Sequence, residues 1–291
     1  MNDQKIDLHT HTYYSDGRAS PEELVTYAAS IGVGTLAICD HDNARGVREA
    51  LPVAERFGIN LVPAVEFTTR WDACEMPPGE SDVDLLGYYI NPLSAAFLKI
   101  EEAALADFTF RMKTWCATLT AAGTPVTLED VYLQNPRYPG TMQLIKAVAA
   151  NGYGKNFNEA AQIVGSQMDK VPRCCHKIEQ AIADIHTCGG VAVLAHPGTC
   201  YIRWHGRSLG RKGLNLLVEM GLDGIEVSHH AVDAAAQEHF RTLADQYHLA
   251  ITGGSDEHGW PTGLPYLGCQ PVTRAMLLSL ECKAHVKDCR P

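Results

Sequence analysis

The stretch that decides the fold is KIDLHTHTYYSDG, residues 5–17. It begins as a short apolar run that predicts a β-strand and ends in two histidines, His9 and His11, with Asp16 close behind. Successive side chains of a strand alternate between its two faces, so residues i and i+2 point the same way. The pair therefore aims two imidazoles at one point, and a metal ion is a candidate for what stands there.

Predicted strands and helices alternate on both sides of this segment. A helix is predicted over SPEELVTYAASIG, where Ser20 is an N-cap candidate, Pro21 takes the first helical position and Gly32 ends the helix. The alternation continues to residue 90 and resumes after residue 178, with strands at VAVLAHP, LDGIEVSHH and LAITGGSDEHG. Because strands that alternate with helices imply parallel pairing, the predicted fold class is α/β.

Residues 99–175 interrupt this alternation with helical patterns only. Residues 98–123 have helical periodicity, and TMQLIKAVAANG and NEAAQIVG continue it. Residues 99–175 carry eight Lys or Arg against seven Asp or Glu, whereas the whole chain has a formal charge of -10. We predict one barrel domain from residues 1–98 and 176–291, with residues 99–175 as a relatively basic helical insertion that packs over the barrel and covers its site.

Composition excludes several classes of protein. The 291 residues are 46% hydrophobic and 20% charged, as in ordinary globular enzymes. The negative charge argues against a duplex-DNA binder, and no apolar run reaches the ~20 residues that a membrane span needs. The ten cysteines are scattered and no secretory signal precedes the first strand, so we expect a cytoplasmic protein with reduced thiols.

Histidines and carboxylates stand at almost every predicted C-terminal strand end, where parallel barrels gather functional residues. Asp256 and His258 repeat the i, i+2 spacing of the opening pair. A lone histidine is usually a hydrogen-bonded or surface residue, but convergence from six strand ends is improbable by chance. We therefore predict a metal cluster at these strand ends, which carry His9, His11, His41, Glu66, Asp84, His196, Asp256 and His258, with His229 and His230 at a further strand end.

The types of ligand narrow the choice of metal. Imidazole and carboxylate without cysteine suit Mn, Fe or Zn, and are too rich in nitrogen for Mg or Ca alone. Glu66 could bridge two ions. Ions about 3.5–4 Å apart polarise a phosphoryl group and generate hydroxide for in-line attack, so the cluster favours phosphoester hydrolysis over a structural role.

Cationic side chains are candidates for binding phosphate, although a solvated surface is the alternative for each. Arg111 and Lys170 are favoured because they lie in the relatively basic segment. The full set of candidates is Arg111, Arg137, Lys170, Arg173 and Arg203. Three aromatic residues at near-helical spacing are interpreted as core, not as a surface for stacking bases: Phe108, Phe110 and Trp115.

Six motifs, in chain order, resemble the polymerase and histidinol phosphatase (PHP) family: DLHTHTYYSDG, AICDHD, AVEF, VAVLAHP, GIEVSHH and TGGSDEHG. The likeness covers roughly residues 5–90 and 178–260 and is greatest to the stand-alone bacterial nucleotide phosphoesterases of that family. The resemblance implies a distorted (β/α)7 barrel with two or three divalent metals, often manganese, with zinc, iron or magnesium as alternatives.

The resemblance also implies how the ligands divide. His9, His11, Glu66 and Asp256 would hold the first metal, Glu66 and His196 the second, and Asp16, His41 and His258 the third. Two departures from the family pattern stand out. Asp84 occupies the place before LGY where relatives commonly have histidine, so it either replaces that ligand or weakens the second site. Residues 141–143 read TMQ where relatives often carry Arg-x-His, which leaves the substrate contacts open.

The implied reaction removes the 3′-phosphate from nucleoside 3′,5′-bisphosphates, such as adenosine 3′,5′-bisphosphate, and some relatives also trim short RNA from its 5′ end. Glu66 and Asp256 are the catalytic carboxylates in this reading, while His229 or His230 either protonates the leaving 3′-oxygen or binds phosphate. The expected partners are a small nucleotide and short single-stranded RNA. Three alternatives stay open: a histidinol phosphate phosphatase, a metal-dependent amidohydrolase, and a non-catalytic nucleotide-binding or polymerase-associated module.

Overall fold

The computed structural model describes residues 4–71, 82–172, 174–197, 211–259 and 266–288. Within these ranges the strands are β1 (Lys5–Asp7), β2 (Val33–Ile38), β3 (Asn60–Arg70), β4 (Asp82–Tyr88), β5 (Val191–Leu194), β6 (Gly224–Ser228) and β7 (Ala250–Gly253). The α-helices are α1 (Pro21–Ser30), α2 (Arg45–Phe57), α3 (Ala95–Ala121), α4 (Leu128–Gln134), α5 (Thr141–Ala150), α6 (Phe157–Gly165), α7 (Ile178–Thr187), α8 (Arg211–Glu219), α9 (Ala234–Tyr247) and α10 (Arg274–Asp288).

The strands form one seven-stranded sheet in chain order, which confirms the predicted α/β class. Strands β1 to β3 are parallel, as are β5 to β7, but β4 is antiparallel to both of its neighbours. The prediction of parallel pairing is therefore wrong for β4. Only residues 71–81 separate β3 from β4, fewer than the dozen or more that a parallel crossover needs, so the chain returns as an antiparallel pair.

The two edges of the sheet approach each other just beyond β1 and β7. Thr10 and Glu257 form an isolated parallel bridge, and the backbone N–H of Asp256 donates to the carbonyl of His9 at 2.8 Å. Glycine is required at position 254, because a Cβ there would lie 2.4 Å from the backbone nitrogen of His9. This approach places the motif at the start of the chain beside the motif near its end.

Alternate residues of the strands pack together in one buried cluster, which includes Ala37, Cys39, Val62, Ala64, Leu86, Tyr88, Val191 and Val193. Leu277 and Leu280 of α10 belong to the same cluster, so this helix packs against the sheet. A larger cluster joins the sheet to the helices beside it, including α1, α2 and α7. The period-2 alternation of a strand thus separates two layers of apolar packing.

Helices α3 to α6 have a buried cluster of their own, formed by residues such as Leu119, Leu144 and Val164. Trp115 belongs to it and donates its indole N–H to the carbonyl of Val164 at 3.1 Å, which confirms its interpretation as core. Phe110 is 59% exposed, so that interpretation is wrong for Phe110, which sits on the solvent side of α3.

One buried ion pair ties α3 to α2. The carboxylate of Glu101 accepts from Arg48 at 2.7 Å and from the backbone N–H of Ala44, before α2, at 2.8 Å.

The predictions of reduced thiols and of no membrane span can be compared with the structure over the described residues. The described cysteines are free thiols. No helix in those ranges combines the length and the apolarity that crossing a bilayer would take.

Candidate metal centre

The residues of the centre lie where strands end. β1 leads into His9 and His11, β2 leads into His41, β3 contains Glu66, and β7 leads into Asp256 and His258. The nine predicted ligands form three groups. Within each group, the candidate ligand atoms all lie within 4.8 Å of one another. The groups are His9, His11, Glu66 and Asp256; His11, Asp16, His41 and His258; and Glu66, Asp84 and His196.

The first group is the most deeply buried. The Nε2 atom of His9 lies 3.1 Å from the Nε2 of His11 and 3.1 Å from the Oε2 of Glu66. The Oδ1 of Asp256 lies 3.1 Å from the Nε2 of His11. Two imidazole nitrogens and two carboxylate oxygens from three regions of the chain therefore converge on one point, as the opening sequence motif predicts.

Glu66 connects this group to the group that contains Asp84 and His196. Its Oε2 faces His9 and His11, while its Oε1 lies 3.0 Å from the Nε2 of His196. A carboxylate with one oxygen in each group has the geometry of a bridging ligand. Asp84 of β4 belongs to the group with Glu66 and His196, at the place where the family pattern would put a histidine.

The group around Asp16 lies on the other side of His11. The Oδ1 of Asp16 is 3.1 Å from the Nε2 of His258 and 3.7 Å from the Nε2 of His41. The family resemblance does not assign His11 to this group, but the structure places it within reach of both. The three groups are thus contiguous, joined by His11 and Glu66.

Asp40 shapes the loop that presents Asp16. Its carboxylate accepts from the backbone N–H of Thr12 at 2.7 Å and from the hydroxyl of Ser15 at 2.7 Å. Asp40 is fully buried, and burial raises the pKa of its carboxyl. Asp40 belongs to the motif AICDHD, but no role at the site was predicted for it.

Glu226 in β6 orients His9 and was also missed. Its fully buried carboxylate accepts from the Nδ1 of His9 at 3.1 Å and from the backbone N–H of His196 at 2.9 Å. With the proton on Nδ1, the lone pair of His9 is on Nε2, the atom that faces His11 and Glu66. A carboxylate behind a metal-binding histidine commonly fixes the tautomer in this way.

His229 orients Asp256 by the same reasoning. Its Nδ1 accepts from the backbone N–H of Ala231 at 3.1 Å, so its Nε2 carries the proton and donates to the Oδ2 of Asp256 at 3.2 Å. His229 is buried, and both of its ring nitrogens are engaged. His230 is exposed and stacks on the ring of Tyr266, and its Nδ1 donates to the carbonyl of Ser255 at 3.0 Å.

Opposite charges keep the carboxyl groups of the centre ionised. Burial alone would raise the pKa of Glu66 and of Asp256, but the adjacent imidazoles, His9 first, hold both well below their usual range. Burial lowers the pKa of His258, yet the charges of Asp16 and Asp256 outweigh it and raise that pKa to about 10. Protons on imidazoles thus balance the carboxylates, and a divalent cation would supply the same charge in their place.

Two buried atoms indicate that the residues fit a cation. The Oδ1 of Asp16, although 3.1 Å from the Nε2 of His258, and the Nδ1 of His41 make no well-oriented hydrogen bond within the described ranges. Buried polar atoms are normally paired, so such atoms call for an explanation. A metal ion among Asp16, His41 and His258 would bind the Oδ1 of Asp16, whereas the Nδ1 of His41 lies 3.5 Å from the Oε2 of Glu66, toward the group that contains His9.

Backbone strain is concentrated at the same place. Three non-glycine residues of the site have positive φ angles: 57° at Asp42, 26° at His196 and 53° at Asp256. Such conformations are uncommon for residues with a side chain and persist where the surrounding structure imposes them. At Asp42 the carboxylate accepts from the backbone N–H of Thr68 at 3.1 Å, and burial raises its pKa to about 7.

Two cavities border the centre. One, of about 380 Å³, is lined by Asp16, His41 and Asp84 on one side and by residues of the helical segment, including Phe108, Arg111, Trp115 and Tyr138, on the other. The second, of about 270 Å³, is lined by Asp16, Asp256 and His258 together with Arg18, Met142, Lys146, His230, Glu257 and Tyr266.

The structure brings only some of the predicted phosphate-binding residues to these cavities. Arg111 lines the larger one and donates to the carbonyl of Pro172 at 3.0 Å. Arg137 packs over the ring of Tyr13 at 4.0 Å, and Lys170 pairs with Gln167 in a separate surface depression. Arg173 and Arg203 lie outside the described residues. Arg18 and Lys146, which do line a cavity, were missed.

An α/β sheet with three contiguous His and carboxylate groups at its strand ends defines a metal-dependent hydrolase. The sequence profile of the PHP domain matches residues 7–185. The chain is 32% identical to the 5′-3′ exoribonuclease Rnm of Escherichia coli over 265 residues, covering 87% of this chain and 84% of that protein. The chain therefore belongs to the PHP family, as the sequence motifs predict.

Other relatives agree with this assignment. The chain is 28% identical to the 3′,5′-nucleoside bisphosphate phosphatase of Chromobacterium violaceum, covering 93% of this chain and 96% of that protein. Its structure matches a Bifidobacterium adolescentis protein proposed to be a metal-dependent phosphoesterase, with a TM-score of 0.81, 28% identity and 96% of each chain covered. The prediction of an enzyme that hydrolyses phosphoester bonds is confirmed.

Proposed function

We propose that this enzyme hydrolyses the 3′-phosphate of nucleoside 3′,5′-bisphosphates, such as adenosine 3′,5′-bisphosphate, and releases the 5′-monophosphate. The observation that carries the proposal is the set of three contiguous ligand groups linked by Glu66 and His11. Contiguous groups suit a phosphoryl group, whose several oxygens need positive charge at once. The Chromobacterium violaceum relative is named for this substrate class.

The proposed cofactors are two or three divalent metal ions, manganese first, with zinc, iron or magnesium as alternatives. The first would be held by His9, His11, Glu66 and Asp256, the second by Glu66, His196 and Asp84, and the third by Asp16, His41 and His258. Bound there, the ions would act as Lewis acids and lower the pKa of water.

The geometry favours His230 over His229 as the proton donor to the leaving 3′-oxygen. Both ring nitrogens of His229 are engaged, with the backbone N–H of Ala231 and with Asp256. His230 uses only its Nδ1, in a bond to the carbonyl of Ser255, and is exposed beside the smaller cavity. When protonated, its Nε2 can donate to an oxygen in that cavity. His229 is then a positioning residue for Asp256.

The helical segment supplies a wall of the larger cavity. We propose that residues 99–175 are an insertion that covers the active site, because Phe108, Trp115 and Tyr138 line the same cavity as Asp16 and His41. Phe108 and Tyr138 stack with ring centroids 4.8 Å apart. Arg111 lines the same cavity as Asp84, and we propose it as a contact for substrate phosphate.

Short 5′-phosphorylated RNA is the second proposed substrate, supported by the 32% identity to an exoribonuclease. The remaining alternatives are less well supported. A non-catalytic module has no need of a complete ligand set, yet all nine ligands converge here. An amidohydrolase centre would use a bridging carboxylated lysine, whereas here the carboxylate of Glu66 has one oxygen in each of two groups.

Phosphate release by the Mn-loaded protein tests the proposal. Adenosine 3′,5′-bisphosphate, histidinol phosphate and a short 5′-phosphorylated RNA are compared at equal concentration. Turnover of the bisphosphate to AMP is expected. Activity on histidinol phosphate alone would assign the protein to the other phosphatase branch, and inactivity on all three substrates would favour the binding module.

A further inference from the structure

The turn that carries Asp16 lies between the sheet and the helical segment. It consists of residues 13–16 and begins two residues after His11. Asp16 supplies the carboxylate of the candidate ligand group that also contains His11, His41 and His258, here called the Asp16 group. The geometry of this group therefore depends on whatever holds the turn in place.

One anchor of the turn comes from the sheet. Asp40 follows β2, and its carboxylate accepts from the backbone N–H of Thr12 at 2.7 Å and from the hydroxyl of Ser15 at 2.7 Å. The backbone N–H of Ser15 donates to the carbonyl of Thr12 at 3.0 Å and closes the turn. These bonds use donors of the turn, so the carbonyls of residues 13–15 need partners from elsewhere.

The second anchor comes from the helical segment. Asn135 ends α4, and its side-chain NH2 donates to the carbonyl of Tyr13 at 2.8 Å and to the carbonyl of Ser15 at 3.0 Å. Its Oδ1 accepts from the backbone N–H of Arg137 at 2.9 Å. Both N–H donors and the oxygen of this amide are thus used, and their partners fix its orientation. Asn135 is buried, so water is poorly placed to replace these bonds.

Arg137 strengthens the same contact. Its guanidinium packs over the ring of Tyr13 at 4.0 Å, and its carbonyl accepts from the side chain of Arg45, at the start of α2, at 2.9 Å. The carbonyl of Tyr14 accepts from the side chain of Asn43 at 2.9 Å. All three carbonyls of residues 13–15 therefore accept from side-chain amides, and the helical segment supplies the amide for two of them.

We propose that Asn135 is a positioning residue for the Asp16 group, through which the helical segment sets the affinity of the metal ion bound there. The inference rests on the proposed function and its metal ions. Asp16 comes directly after Ser15, whose carbonyl Asn135 binds, so a displaced turn displaces this ligand. Glu66 lies in β3 and Asp256 follows β7, and neither is part of the turn. The group that contains them with His9 should therefore be less sensitive to Asn135.

Titration of the metal-free protein with Mn, followed by calorimetry without substrate, tests the inference. Asp16→Ala removes the ligand itself and identifies the binding step that belongs to the Asp16 group. Asn135→Ala should weaken the same step by roughly tenfold or more, as is typical when the partner of a metal ligand is removed. The binding that Asp16→Ala retains should keep its wild-type affinity in Asn135→Ala.

A double variant separates positioning from a general loss of stability. If Asn135 acts through Asp16, adding Asn135→Ala to Asp16→Ala should cause no further loss of Mn affinity. Asn135→Ser keeps a hydroxyl that can donate one hydrogen bond and should lose less affinity than Asn135→Ala. It also carries the comparison if Asn135→Ala does not fold.

Asn151 offers a matched control within the helical segment. It ends α5 as Asn135 ends α4, and its NH2 donates to the carbonyl of Pro125 at 3.3 Å, but its side chain is exposed. Asn151→Ala should bind Mn as the wild-type protein does. In assays of phosphate release, Asn135→Ala should need roughly tenfold more Mn for half-maximal rate and should approach the wild-type kcat at saturating Mn, because every ligand is still present.

Four results would overturn the inference. They are wild-type Mn affinity in both Asn135 variants, an equal loss at every binding step, a further loss in the double variant, and Mn binding that Asp16→Ala leaves unchanged. If the wild-type protein binds Mn but hydrolyses none of the proposed substrates, the proposed function fails. Calorimetry then still decides whether Asn135 positions the Asp16 group, because it needs no substrate.

Discussion

Replacing Glu226 with glutamine should weaken metal binding without changing the shape of the core. The Nδ1 of His9 lies 3.1 Å from one carboxylate oxygen of Glu226 and 3.2 Å from the other. Whichever way the new amide turns, its NH2 group stands about this far from Nδ1. The ring can accept from that NH2 only if its own proton moves to Nε2, the atom that faces His11 and Glu66.

The magnitude follows from what is lost. One charge-assisted hydrogen bond is worth about 1.5–3 kcal/mol. Removing the partner behind a metal-binding histidine typically costs about 10–100-fold in metal affinity, which corresponds to roughly 1.4–2.8 kcal/mol. The two estimates agree. In a protein of more than 150 residues, each kcal/mol moves Tm by about 2–4 °C.

The measurement is the rise in Tm on adding Mn, together with direct calorimetry of Mn binding. Glu226→Gln should show a smaller rise than the wild-type protein at the same metal concentration, because stabilisation depends on the ratio of concentration to Kd. Glu238→Gln removes an exposed carboxylate from α9 and should bind metal normally. Wild-type Mn affinity in Glu226→Gln would refute the tautomer argument.

Three further predictions address the centre and the fold. Asp256→Ala should abolish turnover and leave the circular dichroism spectrum unchanged, and a variant with wild-type activity would refute the ligand assignment. Removing metal with a chelator should lower Tm, because an ion at 100 times its Kd contributes about 2.7 kcal/mol to stability; an unchanged Tm would contradict a resident metal. Glu101→Ala breaks a largely buried pair with Arg48 and should lower the free energy of unfolding by about 2 kcal/mol or more, measured in urea. A loss no larger than that of Glu102→Ala, an exposed neighbour, would show that the pair contributes little.

The fold could be predicted wherever local signals were strong. Ser20, Pro21 and Glu23 mark the start of α1, and the structure shows a capping box there, with the N–H of Glu23 bonded to Ser20 at 3.1 Å. The direction of β4 was missed because its sequence reads as a strand whichever way it runs. Direction depends on the connection, and only the short link from β3 excludes a parallel crossover.

The candidate ligand set could be predicted from the sequence because metal chemistry restricts such ligands to few residue types at strand ends. Glu226 was harder to interpret, since a charged residue inside the apolar strand GIEVS is informative only when its partner is known, and His9 is 217 positions away. The isolated carboxylate in an apolar strand did indicate that Glu226 has a buried partner, because a buried charge needs one, but it did not indicate which residue that partner is.

The substrate contacts were the least predictable part, for a physical reason. A phosphate can be met by any long cation that reaches it, so neither Arg nor Lys has a fixed position in the sequence. Arg137 and Lys170 lie in the basic segment as expected, yet one packs on Tyr13 and the other pairs with Gln167. Arg18 and Lys146 face the centre because Gly17 and α5 place them there. We therefore expect the substrate contacts to depend on packing between the helical segment and the strand ends, and substitutions in α5 should change substrate choice before they change metal binding.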